Sequence, residues 1–168
     1  MGLPLSHAHD ATITTERYKA MKLVIMGEPV AAGRPRFSNR GGFVKAYDPK
    51  KSREYKALIK EQALQQLSKD YQSFDCPITV DINVYRSIQK SISKKEYDRR
   101  LSNEVRPTVK PDTDNYIKII LDGLNGLVWL DDNQITDIAA HKYYSDEPRV
   151  EVVANELSKD DRESKNIL

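Results

Sequence analysis

The sequence contains a single cysteine, Cys76, among its 168 residues. One thiol excludes an internal disulfide and a cysteine-based zinc site, and it favours a reducing compartment, so we expect a cytoplasmic location. Long apolar runs are also missing: the longest, Leu23 to Met26 and Leu127 to Leu130, fall far short of the roughly 20 residues that span a bilayer. No N-terminal apolar segment is typical of a secretory signal. We therefore expect neither a membrane-spanning protein nor an exported one.

The chain also has no marked excess of charge of one sign, since 27 Lys and Arg side chains stand against 25 Asp and Glu. The distribution of these charges is uneven. From Arg86 to Lys110 there are eight basic and three acidic residues, whereas from Asp146 to Leu168 there are four basic and seven acidic residues. The basic middle indicates that one surface meets a polyanion, and a merely solvated loop is the alternative interpretation.

The remaining composition, with 39% apolar and 31% charged residues, is typical of one globular domain with a heavily charged surface. Residues 1–20 lack a periodic apolar pattern and are interpreted as a leader or an expression scar. Residues 21–155 then form the domain, and the charged tail of residues 156–168 is expected to fray.

Apolar periodicity predicts the order of the elements. Strands are expected at 22–27, 43–47, 78–84, 135–144 and 150–154, with helices at 52–68 and 113–124. The first two strands are expected to form a long hairpin, and Ser52 is expected to cap the first helix. Segment 87–109 is interpreted as mostly loop with a short helix at 94–101. The order β-β-α-β-α-β-β predicts an α+β two-layer sandwich, with helices packed on one face of a mixed β-sheet.

The densest polar chemistry follows Pro111, which favours an extended approach to the second helix. Asp112 and Asp114 are expected to project to the same side, with Asp114 or Thr113 as the helix cap. Two such carboxylates repel each other unless a cation lies between them, and oxygen ligands favour Mg²⁺ or Mn²⁺. Lys118 follows Asp114 by one helical turn, and Asp132 is placed to serve as a third ligand.

Each of these features also has an ordinary structural interpretation. An aspartate at a helix start is usually a cap, an Asp–Lys pair four residues apart is usually a surface ion pair, and Asp-Asp-Asn is a common turn. As a set beside a basic loop, they indicate a metal-dependent phosphodiesterase.

The same residues form an ordered set of motifs that resembles the RusA family of Holliday junction resolvases. The motifs are Lys110-Pro-Asp-Thr-Asp-Asn-Tyr-Ile-Lys118, Leu121-Asp-Gly-Leu-Asn-Gly126 and Trp129-Leu-Asp-Asp-Asn-Gln-Ile135. Gly27-Glu-Pro29, Gly33-Arg-Pro-Arg-Phe37 and Tyr47-Asp-Pro49 resemble the N-terminal part of the family. The likeness extends from Met21 to about Ala154.

This resemblance implies a homodimeric endonuclease that makes paired nicks across four-way DNA junctions in recombination and repair. It implies that Asp112, Asp114 and Asp132 bind the catalytic Mg²⁺ or Mn²⁺, with Asp131 as the rival third ligand. The family's essential lysine corresponds to Lys118. Two other functions stay open: a less selective nuclease for branched DNA, and a DNA-junction-binding module without catalysis.

A further set of basic residues is expected to contact DNA, because guanidinium and ammonium groups bind phosphate oxygens. They are Arg34, Arg36 and Lys45 in the first hairpin, and Arg86, Lys90, Lys94, Lys95, Arg99, Arg100 and Lys110 in the basic segment. A solvated hairpin tip is the alternative for the first group. Phe37 and Tyr47 are expected in the core, with stacking at a junction centre as the alternative.

Overall fold

The structure is a computed structural model that describes residues 19–157. The elements are β1 (Ala20–Met26), β2 (Arg36–Arg40), β3 (Phe43–Tyr47), α1 (Lys50–Gln66), β4 (Ile78–Ser87), α2 (Lys94–Leu101), α3 (Thr113–Leu124), β5 (Ile135–Ser145) and β6 (Arg149–Glu156). A short 3-10 turn, Asp132–Gln134, precedes β5. The predicted α+β class is confirmed, and so is the helix within the basic segment.

Four strands form a mixed sheet in the order β1-β6-β4-β5. β4 and β5 run parallel, while β6 lies antiparallel between β1 and β4. Buried and partly exposed residues alternate along β4 and β6, which places one face of each strand in the core. The first and last strands of the domain are therefore neighbours, and the sheet joins the two ends of the described chain.

The long hairpin expected between the first strand and Phe43–Tyr47 is wrong. β1 pairs with β6, and β3 pairs with the additional strand β2 in a separate two-stranded sheet. The physical reason is burial: β1 has the fully buried side chains Leu23 and Ile25, which need neighbours in the core. Every residue of β3 is exposed, so that strand contributes no such neighbours.

Helices α1 and α3 pack together to form the second layer of the sandwich. The buried positions of α1 include Tyr55, Ile59 and Ala63, which recur at every fourth residue and face the core. Ser52 does not cap α1, because the helix begins at Lys50 after Pro49. Instead, Ser52 is buried and its Oγ accepts a hydrogen bond from the Gly33 amide at 3.0 Å.

The predicted end segments fall largely outside the described residues, since 1–18 and 158–168 are not described. Ala20, the last residue of the predicted leader, already belongs to β1, and Glu156 belongs to β6. Within residues 19–157, no helix is long and apolar enough to cross a membrane.

Gly123 determines how closely α3 approaches α1. A Cβ atom at this position would lie 2.9 Å from Cγ2 and 3.1 Å from Cβ of Ile59. We expect Gly123→Ala to lower the free energy of unfolding by about 1–3 kcal/mol through overpacking, although alanine is the better helix former by about 1 kcal/mol. Urea denaturation measures the change.

The Ile59→Ala background provides the control for this prediction, because it removes Cγ2 and Cδ1 of Ile59 and leaves only Cβ, at 3.1 Å, near the new methyl group. In that background Gly123→Ala should cost clearly less stability than in the wild-type protein. An equal loss of stability in both backgrounds would contradict the packing explanation.

Candidate active site and nucleic-acid interface

Asp112 precedes α3 with an extended backbone, as the position of Pro111 predicts, and its side chain is exposed. It is the N-cap residue of α3 by position, in place of Thr113 or Asp114, but its side chain makes no capping hydrogen bond. A carboxylate that does not cap its own helix is free to bind another group. Its position at a helix N-terminus also places it in a region of positive partial charge.

Two cations hold the backbone that leads to Asp112. Arg86 Nη1, at the end of β4, donates to the Lys110 carbonyl oxygen at 3.1 Å. Lys142 Nζ, on the neighbouring strand β5, donates to the Pro111 carbonyl oxygen at 3.1 Å. The sheet thereby fixes the approach to the helix. Arg86 was predicted to contact DNA, whereas Lys142 carries no motif in the sequence and could not have been found there.

Asp114, Lys118 and Asp122 follow at every fourth residue of α3, and all three are exposed. Residues at this spacing lie on one helix face, so the structure brings Asp114 and Lys118 onto a common surface. The pKa of Asp48 is lowered, first by its hydrogen bond to Lys56 and further by the positive charge of Lys118. Lys118 is therefore near the N-terminal end of α1, which Asp48 precedes.

Lys56 on α1 joins two carboxylates from different elements. Its Nζ lies 2.8 Å from an Oδ2 atom of Asp48 and 2.8 Å from an Oδ2 atom of Asp122. Burial lowers the pKa of Lys56, but the hydrogen bonds to Asp122 and Asp48 outweigh this effect and raise it overall. Lys56 thus neutralises Asp122 and links α1 to α3, a role that the sequence motifs do not reveal.

Asp131 and Asp132 differ in what their carboxylates do. Asp131 caps the 3-10 turn, since its Oδ1 accepts the Asn133 amide at 3.1 Å and the Gln134 side chain accepts the Asp131 amide at 2.9 Å. Asp132 is fully exposed. A hydrogen bond with Asp131, and then the charges of Asp131 and Asp122, raise the pKa of Asp132. This crowding of carboxylates at Asp132 is the kind of repulsion that a bound cation relieves.

Within residues 19–157, no group of three or more His, Cys, Asp or Glu side chains is arranged to hold a metal ion. Asp112, Asp114 and Asp132 are therefore not assembled into a closed cage. Mg²⁺ does not need such a cage in phosphoryl-transfer sites, where one or two carboxylates act together with waters and substrate phosphates. The donor set of these exposed aspartates fits a hard cation of that kind.

A cleft of about 530 Å³ opens beside Asp112. Four basic side chains line it together with this one carboxylate, and they come from four separate segments of the chain: Arg34, Lys51, Arg86 and Lys110. Three of the four were expected to bind DNA. Lys51, in the first turn of α1, was missed because its spacing is that of an ordinary surface position.

Some basic residues around α2 form contacts within the protein, and others are exposed to solvent. Glu96 accepts hydrogen bonds from Arg99 at 3.1 Å and from Arg100 at 2.9 Å, and the Arg100 guanidinium lies 4.7 Å from the centroid of the Tyr144 ring. These two arginines are thus engaged within the protein. The predicted DNA contacts that are exposed here are Lys90, Lys94, Lys95 and the ion-paired Arg99.

The first hairpin leaves its predicted DNA contacts Arg34, Arg36 and Lys45 exposed. The expectation that Phe37 and Tyr47 belong to the core is wrong, since they are 70% and 42% exposed. The hairpin forms a sheet of its own, so the main sheet offers these two aromatic rings no apolar surface to pack against.

The fold is a two-layer α+β sandwich, and the end of one helix places carboxylates beside a cationic cleft. This arrangement is typical of proteins that bind or cleave phosphate esters. Residues 26–154 match the family described as endodeoxyribonuclease RusA. The chain belongs to this family of Holliday junction resolving endonucleases, which confirms the resemblance seen in the motifs. It is also 43% identical over 140 residues to the uncharacterized protein YqaN of Bacillus subtilis (strain 168), covering 82% of this chain and 97% of that protein.

Replacement of Lys56 tests the link between α1 and α3. Lys56→Met should lower the free energy of unfolding by about 1–2 kcal/mol, because two carboxylates lose a shared cation in a partly exposed site. Lys60→Met, at an exposed position one turn further along α1, is the matched control and should change stability by less than about 0.5 kcal/mol. Urea denaturation of both variants gives the comparison.

The effect of Lys56→Met should depend on pH. The folded-state pKa of Asp48 is depressed from 3.8, so the stabilisation is present above that value and is lost as the pH falls below it. The folded-state pKa of Lys56 is raised from 10.5, so the stabilisation is present below that value and is lost at higher pH. A stability difference that is constant from pH 3 to pH 11 would contradict the ionic explanation.

Proposed function

We propose that this protein resolves four-way DNA junctions by paired, metal-dependent hydrolysis of DNA phosphodiesters in recombination and repair, acting as a homodimer. The observation that carries the proposal is the cationic cleft beside Asp112, which joins basic residues from separate segments to the start of the acidic helix. A family that acts on DNA also agrees with the cytoplasmic location expected from the sequence.

In this proposal, the cleft binds the sugar–phosphate backbone. Arg34, Lys51 and Lys110 provide positive charge for phosphate oxygens, and such contacts position DNA without reading its sequence. Arg86 keeps the Lys110 carbonyl in place and so maintains the distance between the bound phosphate and Asp112. The exposed lysines near α2 extend this positive surface towards the arms of the junction.

Asp112, Asp114 and Asp132 are the residues that would hold Mg²⁺ or Mn²⁺. When bound, the ion supplies Lewis-acid stabilisation of negative charge on the scissile phosphate. Asp132 is the better third ligand than Asp131, because the Asp131 carboxylate is already used as the cap of the 3-10 turn. A hydrogen bond with Asp131 and, further, the negative charges of Asp131 and Asp122 raise the pKa of Asp132, and this crowding of carboxylates favours a cation at this position.

Lys118 stabilises the charge that develops during cleavage. It lies one turn from Asp114 on the same exposed helix face, and Lys56 holds Asp122, the next carboxylate on that face. Because Asp122 already has a partner, the Lys118 ammonium remains available for a phosphate or leaving oxygen. A four-way junction presents two equivalent strands, so a two-fold symmetric dimer matches its substrate.

A supercoiled plasmid with an extruded cruciform tests this function. Wild-type protein with Mg²⁺ should convert it to linear DNA, because two paired nicks across one junction open the circle at a single place. EDTA should prevent this conversion, and Asp114→Asn should slow it by about 100-fold or more while the fold and junction binding are retained.

The products distinguish the alternatives. Nicked circles without linear DNA would contradict paired action by a dimer, and equal cutting of synthetic flaps or forks would favour the less selective nuclease for branched DNA. Tight junction binding with no cut under either metal would favour the binding module. Full activity of a folded Asp114→Asn protein would make the site assignment wrong.

Two isosteric variants identify the third ligand. Asp132→Asn should slow junction cleavage by about 100-fold or more. Asp131→Asn should keep most of the activity, because asparagine also caps the turn. It removes the same charge as Asp132→Asn and so controls for the loss of charge itself. Cleavage rates at saturating Mg²⁺, with thermal unfolding as a check on the fold, decide between them; the reverse ranking would assign Asp131 as the ligand.

A further inference from the structure

Contacts with α1 and α3, the two helices that border the cleft, hold both ends of the hairpin formed by β2 and β3. Just before the hairpin, the Ala32 amide donates to the Asn115 carbonyl of α3 at 2.9 Å, and the Gly33 amide donates to Ser52 Oγ of α1 at 3.0 Å. Just after it, Asp48 forms its ion pair with Lys56. The hairpin therefore projects from the edge of the proposed active site with both ends fixed.

The register of the hairpin separates its residues onto two faces. Arg36 lies opposite Tyr47, Ser38 lies opposite Lys45, and Phe43 is two residues before Lys45 on β3. Cross-strand partners share a face and residues two apart along a strand share a face. Arg36, Phe43, Lys45 and Tyr47 thus lie together, and we call them the aromatic–basic face. Phe43 is 83% exposed and Tyr47 is 42% exposed.

The opposite face has a different chemistry. Phe37 lies opposite Ala46, and Asn39 lies opposite Val44, so this face contains no charged residue. Phe37 is 70% exposed and Val44 is 68% exposed. Because the charge lies on one face, the two faces of the hairpin are expected to contact different partners.

We infer that the aromatic–basic face binds DNA at the branch point by stacking Phe43 and Tyr47 on the base faces exposed there, and so provides the preference for branched over linear DNA. The inference rests on the proposed function and deepens it. Charge complementarity supports DNA as the occupant, because residues 29–47 contain four basic and no acidic side chains. Aromatic rings interleaved with cations are the elements with which proteins bind unpaired bases and backbone phosphates.

Stacking and phosphate contacts predict different responses to DNA shape. A paired linear duplex keeps its bases stacked on one another and offers none to Phe43, whereas the strands that exchange at a branch point expose base faces. Phosphates are present in both kinds of DNA. The aromatic residues of the face should therefore affect junctions selectively, while Lys45 should affect junctions and duplexes alike.

Equilibrium binding in EDTA tests the inference, with a synthetic four-way junction and a linear duplex of the same arm sequence as probes. Phe43→Ala and Tyr47→Ala should each weaken junction binding by about 5- to 100-fold, with duplex binding changed less than about twofold and the salt dependence unaltered. Lys45→Gln should weaken both complexes and reduce the slope of log affinity against log salt by about one.

Phe37→Ala is the matched control, since it removes a ring that is also largely exposed, 70% against 83% for Phe43, from the opposite face of the same hairpin. It should leave junction binding within about twofold. All four side chains are exposed, so the thermal unfolding midpoints should stay within about 2 °C of wild type, which separates a binding defect from a folding defect.

Three results would overturn the inference: equal loss of junction binding in Phe37→Ala and Phe43→Ala, equal loss on junction and duplex in Phe43→Ala, or conversion of a dimer to monomers by Phe43→Ala in sedimentation. The last result would make this face an interface with a second copy. A wild-type protein with no junction preference would overturn it as well. Junction preference without cleavage in Mg²⁺ or Mn²⁺ would instead contradict only the proposed function.

Discussion

The contact between α1 and α3 is the constraint on which the arrangement of the site depends. Gly123 lets the two helices approach until Ile59 occupies the space that a larger residue would need. Lys56 then reaches across this short distance to Asp122 at 2.8 Å. Because α3 begins directly after Asp112 and carries Asp114 and Lys118, a change in this contact shifts these proposed site residues relative to the cleft. A packing residue and an ion pair thereby act on the geometry of a surface site.

The same helix has to satisfy two demands on its orientation. Ile119 and Ile120 are buried against the core, while Asp114 and Lys118 face the solvent. Rotation by one residue position, about 100° in an α-helix, would bury a charge in place of an isoleucine. The large cost of burying that charge keeps the polar face exposed. The hydrophobic core thus orients the site with an energy that a few polar contacts at the surface could not provide.

The order of elements and the residues of the acidic helix could be predicted from the sequence because both depend on local spacing. Apolar periodicity located α3, and Pro111 correctly predicted the extended backbone at Asp112. Pairing between distant strands has no local signal, so β1 was assigned to the hairpin although its partner is β6. The use of Lys56 and Lys142 was equally hidden, since an ion pair or a lysine–carbonyl bond depends on which distant segment lies opposite.

The basic residues show why a count of charges is a poor guide to the proposed DNA-binding surface. Arg86 and Arg100 were expected to bind phosphates, yet Arg86 donates to the Lys110 carbonyl and Arg100 donates to Glu96. A guanidinium held by a protein acceptor is oriented and partly neutralised. It would therefore act on DNA indirectly, by positioning the protein backbone to which it is bonded. Arg34 and Lys110 remain at the cleft wall without such a partner among the contacts of the described residues. Because Arg86 holds the segment that carries Lys110, the proposed function gives these two cations different roles. Arg86 fixes the position from which Lys110 would meet a phosphate, and with it the distance from that phosphate to Asp112.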